Sequence, residues 1–317
     1  MARRALKAGP DAFSHNLAAR PCVVAAAREA SCRLACRWTA GLSSTKDQAR
    51  RHGHHFNDSG DVMQLDGKTC FIFDLDGTVY LGDDPIPGTV DFIRRNLGKR
   101  EIFFLTNNTS KNLADYTAKL ARLGIDIGLD RMLSPLLPLV DHLRDEGITR
   151  IYPVGNANFT AFLRERMPEL VFTDGDDCQA VVLGYDTELT YRKLETSCLL
   201  LQRPEVLFLA THADKVCPSP RGPLPDAGSF MALYETATGR TPDLVFGKPN
   251  TILLKPLLKH FTPEEMVMVG DRVYTDKVLA ENAGMDFILV LSGETRREQL
   301  ADLERQPTLV LDDLGSL

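Results

Sequence analysis

Phe71-Ile72-Phe73-Asp74-Leu75-Asp76-Gly77-Thr78 is an apolar run that breaks off on two carboxylates two residues apart and then on a glycine. In a strand, residues i and i+2 point to the same side. Asp74 and Asp76 would therefore face one small volume at the carboxyl edge of a sheet. Left alone, two such anions repel and one pKa rises; a divalent cation removes that cost.

Outward from this stretch, strands and helices alternate, which predicts an α/β fold around a parallel sheet. Strands are expected at Phe71 to Asp74, Ile102 to Leu105, Met266 to Val269 and Phe287 to Leu291. Each is a continuous apolar run, the pattern of a strand covered by helices on both faces. Val90, Ile93 and Leu97 keep helical spacing up to Gly98; Leu113, Tyr116, Leu120 and Leu123 do the same between Ser110 as N-cap and Gly124 as stop. A second set of elements lies within 149–241, with strands at Ile151 to Val154, Ala180 to Leu183 and Val206 to Ala210 and helices at Tyr191 to Leu201 and Phe230 to Thr238. That block is long enough to form its own small α/β domain, inserted in a first one made of 67–148 and 242–317.

Three further stretches carry chemistry at expected strand ends. Leu105-Thr106-Asn107-Asn108 offers a hydroxyl and free backbone N–H groups suited to a phosphate. Gly247-Lys248-Pro249 follows the short apolar run Leu244 to Phe246, and its lysine can neutralise charge developing on a phosphoryl group. Gly270-Asp271-Arg272-Val273-Tyr274-Thr275-Asp276 again ends a strand on a carboxylate, with a second near a helix start. In open α/β sheets, ligands bind outside the carboxyl ends of the strands. Each stretch alone is an ordinary loop or cap; their joint order is what points to one site.

Asp74-Leu75-Asp76-Gly77-Thr78, Thr106, Lys248 and Gly270-Asp271 with Asp276 together resemble the four motifs of the haloacid dehalogenase (HAD) superfamily of phosphatases, over roughly residues 68–312. About twenty residues separate Tyr80 from Glu101, too few for a cap domain there, whereas the stretch between Thr106 and Lys248 accommodates one. That layout is similar to class IIA, the group of NagD-like enzymes, 4-nitrophenyl phosphatase, phosphoglycolate phosphatase and pyridoxal phosphatase. The resemblance implies a Rossmann-like parallel-sheet core with a smaller inserted α/β cap.

It also implies roles. Asp74 is the expected nucleophile and Asp76 the acid and base; Asp74, the Asp76 backbone carbonyl and Asp271 are the expected ligands of Mg2+. Thr106, Lys248 and Asn107 would hold the phosphoryl oxygens, with Asp276 supporting Lys248 or a metal-bound water. Ala210-Thr211-His212-Ala213-Asp214 resembles the family's cap loop, with His212 where that loop usually has Asn. His212 and Asp214 are the expected substrate contacts there, with Arg221 a further candidate. Lys277 stands where the family usually has an apolar residue, a change expected on a helix surface. The expected reaction is hydrolysis of a small phosphate monoester, a phosphorylated metabolite, through an aspartyl phosphate. A phosphotransferase or mutase of the same superfamily and a non-catalytic phosphometabolite-binding module are the alternatives, and a homodimer through the cap is expected from relatives of this class.

Composition fits this reading. With 44% hydrophobic and 25% charged residues, the 317-residue chain matches an ordinary globular protein rather than a disordered one. A formal net charge of -6, with no basic stripe interleaved with aromatics, speaks against a nucleic-acid partner. No apolar run reaches the roughly 20 residues of a membrane span, so no membrane partner is expected. Seven cysteines without a C-x-x-C pair predict reduced thiols and a cytoplasmic protein. Cys32 and Cys36 have no companion pair that would complete a zinc site. Residues 1–66 carry ten Lys/Arg against six Asp/Glu and no strand pattern. They are expected to be a disordered or artefactual extension, with the true start at Met63, and an organelle transit peptide is the other reading.

Overall fold

The structure, a computed structural model, describes residues 65–219 and 221–317. The readings made for the N-terminal extension and for Cys32 and Cys36 lie outside them, except at Leu65 and Asp66. Leu65 is buried in the main core beside Phe71 and Phe92, which corrects its placement in the extension. A single leucine among polar neighbours carries no periodicity, so the pattern had nothing to register there.

Six parallel strands form the main sheet, in the spatial order Leu309–Leu311, Asp286–Val290, Met266–Gly270, Cys70–Phe73, Glu101–Leu105, Met132–Leu133. Cys70–Phe73 and Met266–Gly270 are buried along their whole length, which is why their sequences run apolar without alternation. Side chains still alternate between faces. Phe71, Phe73, Val267, Val269, Ile102 and Phe104 pack on one side, with the helices Pro87–Asn96 and Leu113–Arg122. Cys70, Ile72, Met266, Met268, Phe103 and Leu105 pack on the other, with Leu253, Leu254 and the helix Val278–Ala283. Full burial of one such aromatic or aliphatic side chain contributes about 1.5–3 kcal/mol, so this double-sided core holds the strand ends in place.

The helix Leu113–Arg122 is capped by Asn112, whose side chain accepts the Asp115 N–H, rather than by Ser110. Ser110 is instead bonded to Asn108 Oδ1 through both its N–H and its hydroxyl. Either residue type caps well, and the tight turn after the strand decides between them.

A second parallel sheet, in the order Leu244–Val245, Leu207–Ala210, Ala180–Leu183, Arg150–Val154, Val171–Phe172, carries its own two cores. One gathers Ile151, Val182, Leu209, Phe159 and Leu163; the other gathers Val181, Phe208, Leu200 and Tyr234. The inserted unit is wider than the 149–241 expected. Leu244–Val245 pairs with Leu207–Ala210, and the helix Leu136–Asp145 buries Leu136, Leu139, Val140 and Leu143 against the same face as Ile151. A two-residue strand and a helix beginning on Ser-Pro give weak boundary signals, so length alone misplaced the junctions.

The two sheets meet near the active end of the first. Past Thr106 the chain runs into contacts with the second sheet: Thr109 Oγ1 accepts the Tyr185 N–H at 3.0 Å and lies 3.3 Å from Thr211 Oγ1, and Asn156 Nδ2 donates to the Ser110 carbonyl at 2.8 Å. Residues just past the strands Ala180–Leu183 and Leu207–Ala210 thus lie against the loop that leaves Glu101–Leu105.

Candidate active site

Register brings the four stretches together. Phe73 is level with Val269 on one side and with Phe104 on the other, so the next residues, Asp74, Gly270 and Leu105, stand side by side at the carboxyl edge of the sheet. The Asp74 N–H still bonds to the Val269 carbonyl at 2.9 Å, which fixes the nucleophile candidate to the rigid sheet. Beyond it the chain turns on Gly77, whose φ of 96° is left-handed and whose added Cβ would lie 2.5 Å from Asp271 Oδ2. Glycine is required there for both reasons.

Lys248 is the hub. Its side chain is 1% exposed; Nζ bonds to Asp74 Oδ1 and, at 2.7 Å, to Asp276 Oδ1. Asp276 Oδ2 in turn accepts the Arg272 N–H at 3.1 Å, so Asp276 orients the lysine while holding the following loop. Burial alone would lower the Lys248 pKa, yet Asp276 and Asp74 outweigh it and hold the amine firmly as ammonium. Asn107 fixes the lysine's backbone: Oδ1 accepts the Lys248 N–H at 2.9 Å, while Nδ2 donates to Asp214 at 3.0 Å. Gly247 permits this approach, because a Cβ there would come within 2.7 Å of Asn107 Oδ1.

Asp271 is less well provided for. It is 2% exposed; Oδ2 accepts the Glu294 N–H at 2.6 Å, but Oδ1 is enclosed with no hydrogen-bond partner among the described residues. Burial, then Asp74 and Asp276, push its carboxyl well above the usual carboxylate range. Oxygens of Asp74, Asp271 and Asp276 lie within 4.8 Å of one another. An all-oxygen donor set with an orphaned buried oxygen fits a hard divalent cation. Because both Asp276 oxygens are engaged, by Lys248 and by the Arg272 N–H, whereas Lys248 takes only Oδ1 of Asp74, the acceptors left for a metal are Asp74 Oδ2, Asp271 and the Asp76 backbone carbonyl, which accepts no hydrogen bond from the described residues. Asp76 itself has a raised pKa, through burial first and Asp74 second.

Thr106, Asn107, Asn108, Lys248, Asp74 and Asp76 line one cavity on the core side. From the second sheet's side Asp214, Cys217, Pro218 and Asp226 close it, leaving about 20 Å³. That is little more than one water. Asp214 lines the cavity as expected, but its two oxygens are already engaged, by Asn107 Nδ2 and by Arg272 at 3.1 Å. His212 does not line it. Expected at the substrate, His212 is fully buried, with Nδ1 2.9 Å from Thr211 Oγ1 and Nε2 2.8 Å from Asp226 Oδ1. Both ring nitrogens are spent inside the protein, so no donor remains for a direct contact. Arg221 is exposed and lines neither this cavity nor its neighbour. Lys277, expected on a helix surface, is instead 7% exposed, with Nζ on Glu281 at 2.7 Å.

Two residues with structural weight had no role in the sequence reading. Arg272 joins the two sheets' loops through Asp214, and its Nε lies 2.9 Å from Glu294 Oε2. Its place directly after Asp271 was the available signal. Asp226 caps the helix Ala227–Thr238 and looks in sequence like any Asp N-cap, which hides its pairing with His212 fourteen residues earlier.

Two paired α/β sheets with carboxylates, a lysine and a threonine at the strand ends define a capped α/β hydrolase. Comparison with known proteins makes this specific. Residues 71–166 match the model of the haloacid dehalogenase-like hydrolases, and 245–317 match that of a HAD-hydrolase-like family. The acid sugar phosphatase of Staphylococcus haemolyticus is 31% identical over 250 residues, covering 77% of this chain and 93% of that one. The crystal structure of 4-nitrophenylphosphatase from Thermotoga maritima is similar with a TM-score of 0.73 and 39% identity, over 80% of this chain and 97% of that one. That of a glycerol phosphate phosphatase from Mycobacterium tuberculosis, in complex with calcium, follows at 0.69 and 29%, over 80% and 75%. The chain belongs to the haloacid dehalogenase-like hydrolases. Within them it is a phosphoric monoester hydrolase of class IIA. No helix among the described residues is long and apolar enough to cross a membrane.

Proposed function

We propose that the chain is a magnesium-dependent phosphatase of small phosphorylated metabolites that works through an aspartyl phosphate on Asp74. The observation that carries this reading is the Lys248 ammonium bridging Asp74 and Asp276 beside the partnerless Asp271 oxygen. A cation held by Asp74, Asp271 and the Asp76 carbonyl would offset the charge between an anionic nucleophile and an anionic ester.

The chain's own groups supply the rest. Asp74 Oδ attacks phosphorus, the P–O bond to the leaving group breaks, and the leaving oxygen takes the proton of Asp76. The raised Asp76 pKa favours the protonated form needed for that step. The Asp76 carboxylate then takes a proton from water, which cleaves the acyl phosphate and restores Asp74. Lys248 Nζ, the Thr106 hydroxyl and the Asn107 N–H, which has no acceptor among the described residues, are placed to hold the phosphoryl oxygens. Dry, fixed donors of this kind are worth more than in water because nothing has to reorganise.

The test is rapid quench of the enzyme with 4-nitrophenyl phosphate and magnesium, followed by peptide mass analysis. A base-labile phosphate on the Asp74 peptide is expected. Turnover without such an adduct, or turnover retained in Asp74→Asn, would sink the assignment.

A further inference from the structure

The side of the cavity that faces the leaving group offers acceptors and no free cation. Of the residues closing it, Pro218 has no polar side chain, Cys217 is an uncharged thiol turned to the Pro218 carbonyl, and Asp214 spends both oxygens on Asn107 and Arg272. Asp226 differs. It is 3% exposed, and Oδ1 accepts the Ala227 N–H at 2.6 Å and pairs with His212 Nε2. Oδ2 accepts no hydrogen bond from the described residues, and it is not among the enclosed orphan atoms of the fold. A carboxylate oxygen held out of bulk water and still open toward a binding cavity lacks the donor that would compensate its burial.

His212 does not supply that donor. Asp226 raises its pKa, but the ring is sealed between Thr211 and Asp226 and its charge stays inside the cap. A neighbouring cavity of about 390 Å³ shares Asp76 and Pro218 with the first and adds Leu81, Val216, Pro223 and Glu294. It gives a leaving group room, again without Lys or Arg. The two cations that line the first cavity are both held by carboxylates, Lys248 by Asp74 and Asp276 and Arg272 by Asp214.

We propose that Asp226, fixed by His212, selects the leaving group by accepting a hydrogen bond from it, so that the substrates are monoesters of alcohols bearing a further hydroxyl or ammonium. Monoesters with a carboxylate or a second phosphate beside the ester oxygen meet like charge and are poor substrates. The inference rests on the phosphatase reading above and deepens it.

Four esters test it: glycerol 3-phosphate, O-phosphoethanolamine, 2-phosphoglycolate and the donor-free 4-nitrophenyl phosphate. For the native enzyme, kcat/KM on the better of the first two should exceed that on 2-phosphoglycolate at least about tenfold. Asp226→Asn keeps an oxygen for the Ala227 N–H and should cost the preferred ester about tenfold to hundredfold, at least several times more than it costs 4-nitrophenyl phosphate. Its 2-phosphoglycolate rate should rise relative to the others. Equal losses on all four esters would make Asp226 purely structural and overturn the proposal. A native preference for 2-phosphoglycolate would overturn it without any variant, and so decides the matter even where Asp226→Asn does not fold. In both cases 4-nitrophenyl phosphate is still hydrolysed; loss of the phosphatase reading itself would show as no native turnover of any ester.

Discussion

The described residues contain two buried groups of three ligand-type side chains, Asp74, Asp271 and Asp276 in the core and His212, Asp214 and Asp226 in the cap. In composition they look alike, and each is compact enough to surround an ion. They differ in how they are neutralised. The cap group is met by basic side chains, His212 against Asp226 within the cap and Arg272, from the core loop, against Asp214. The core group has Lys248 for Asp74 and Asp276, while Asp271 is left with an orphaned oxygen and a raised pKa. In the cap only Asp226 Oδ2 is left without a partner among the described residues, and each carboxylate there already faces a basic side chain; Asp271 faces none. Counting acidic residues would not separate them; tracing each oxygen to its partner does.

The comparison breaks most visibly at Asp74. Asp74→Asn should lower kcat on 4-nitrophenyl phosphate by about a thousandfold or more, since no other group replaces the nucleophile. The far-ultraviolet circular dichroism should stay native. A residual rate within tenfold of native, with contaminating phosphatase excluded, would remove Asp74 from that role.

Metal removal comes next. Chelation should abolish turnover, and magnesium at about a hundred times its dissociation constant should stabilise the fold by about 2.7 kcal/mol, read as a rise in Tm. Asp271→Asn should lose that rise, whereas His212→Ala should keep it. The reverse pattern would place the cation in the cap.

The cap pair is tested by stability rather than activity. His212→Ala leaves Asp226 buried without its cation and should cost about 3 kcal/mol in urea unfolding. The pH dependence has a definite sign. The folded pKa of His212 lies above its ordinary 6.5, so the pair's contribution is fully present below about that pH and fades as pH rises through the higher folded value. The gap in stability between native protein and His212→Ala should therefore shrink toward alkaline pH. A gap that widens instead would mean that the imidazole is buried neutral.

The smallest effect is expected at Lys277, paired with Glu281 one helical turn on. Lys277→Met restores an apolar residue at a mostly buried position and should change stability by less than about 0.5 kcal/mol. A larger loss would show that this ion pair, too, belongs to the site's supporting structure.

Much of the core was legible in the sequence because one rule repeats there. A fully buried parallel strand must be apolar throughout, so a carboxylate, threonine or glycine at its end stands out, as at Asp74, Thr106 and Asp271. Lys248 was found by the same contrast after Leu244 to Phe246, although that run belongs to the second sheet. The cap was less legible because its important contacts join residues that look locally explained. Asp226 reads as a helix cap and His212 as a loop histidine; only folding brings Nε2 to Oδ1. Leu136–Asp145 was missed for a related reason: its apolar positions serve a sheet that begins only at Arg150, beyond its own turn.

Arg272 follows Asp271 directly, and its guanidinium reaches across to Asp214 of the cap. Door and furnace therefore share a hinge pin: the peptide that places a proposed metal carboxylate also carries the bolt that shuts the cavity to about 20 Å³. The ion pair and the carboxylate sit on adjacent residues of one loop. Closure of the cavity and placement of Asp271 thus depend on one short peptide, and a substitution that loosens Arg272 should be felt at both.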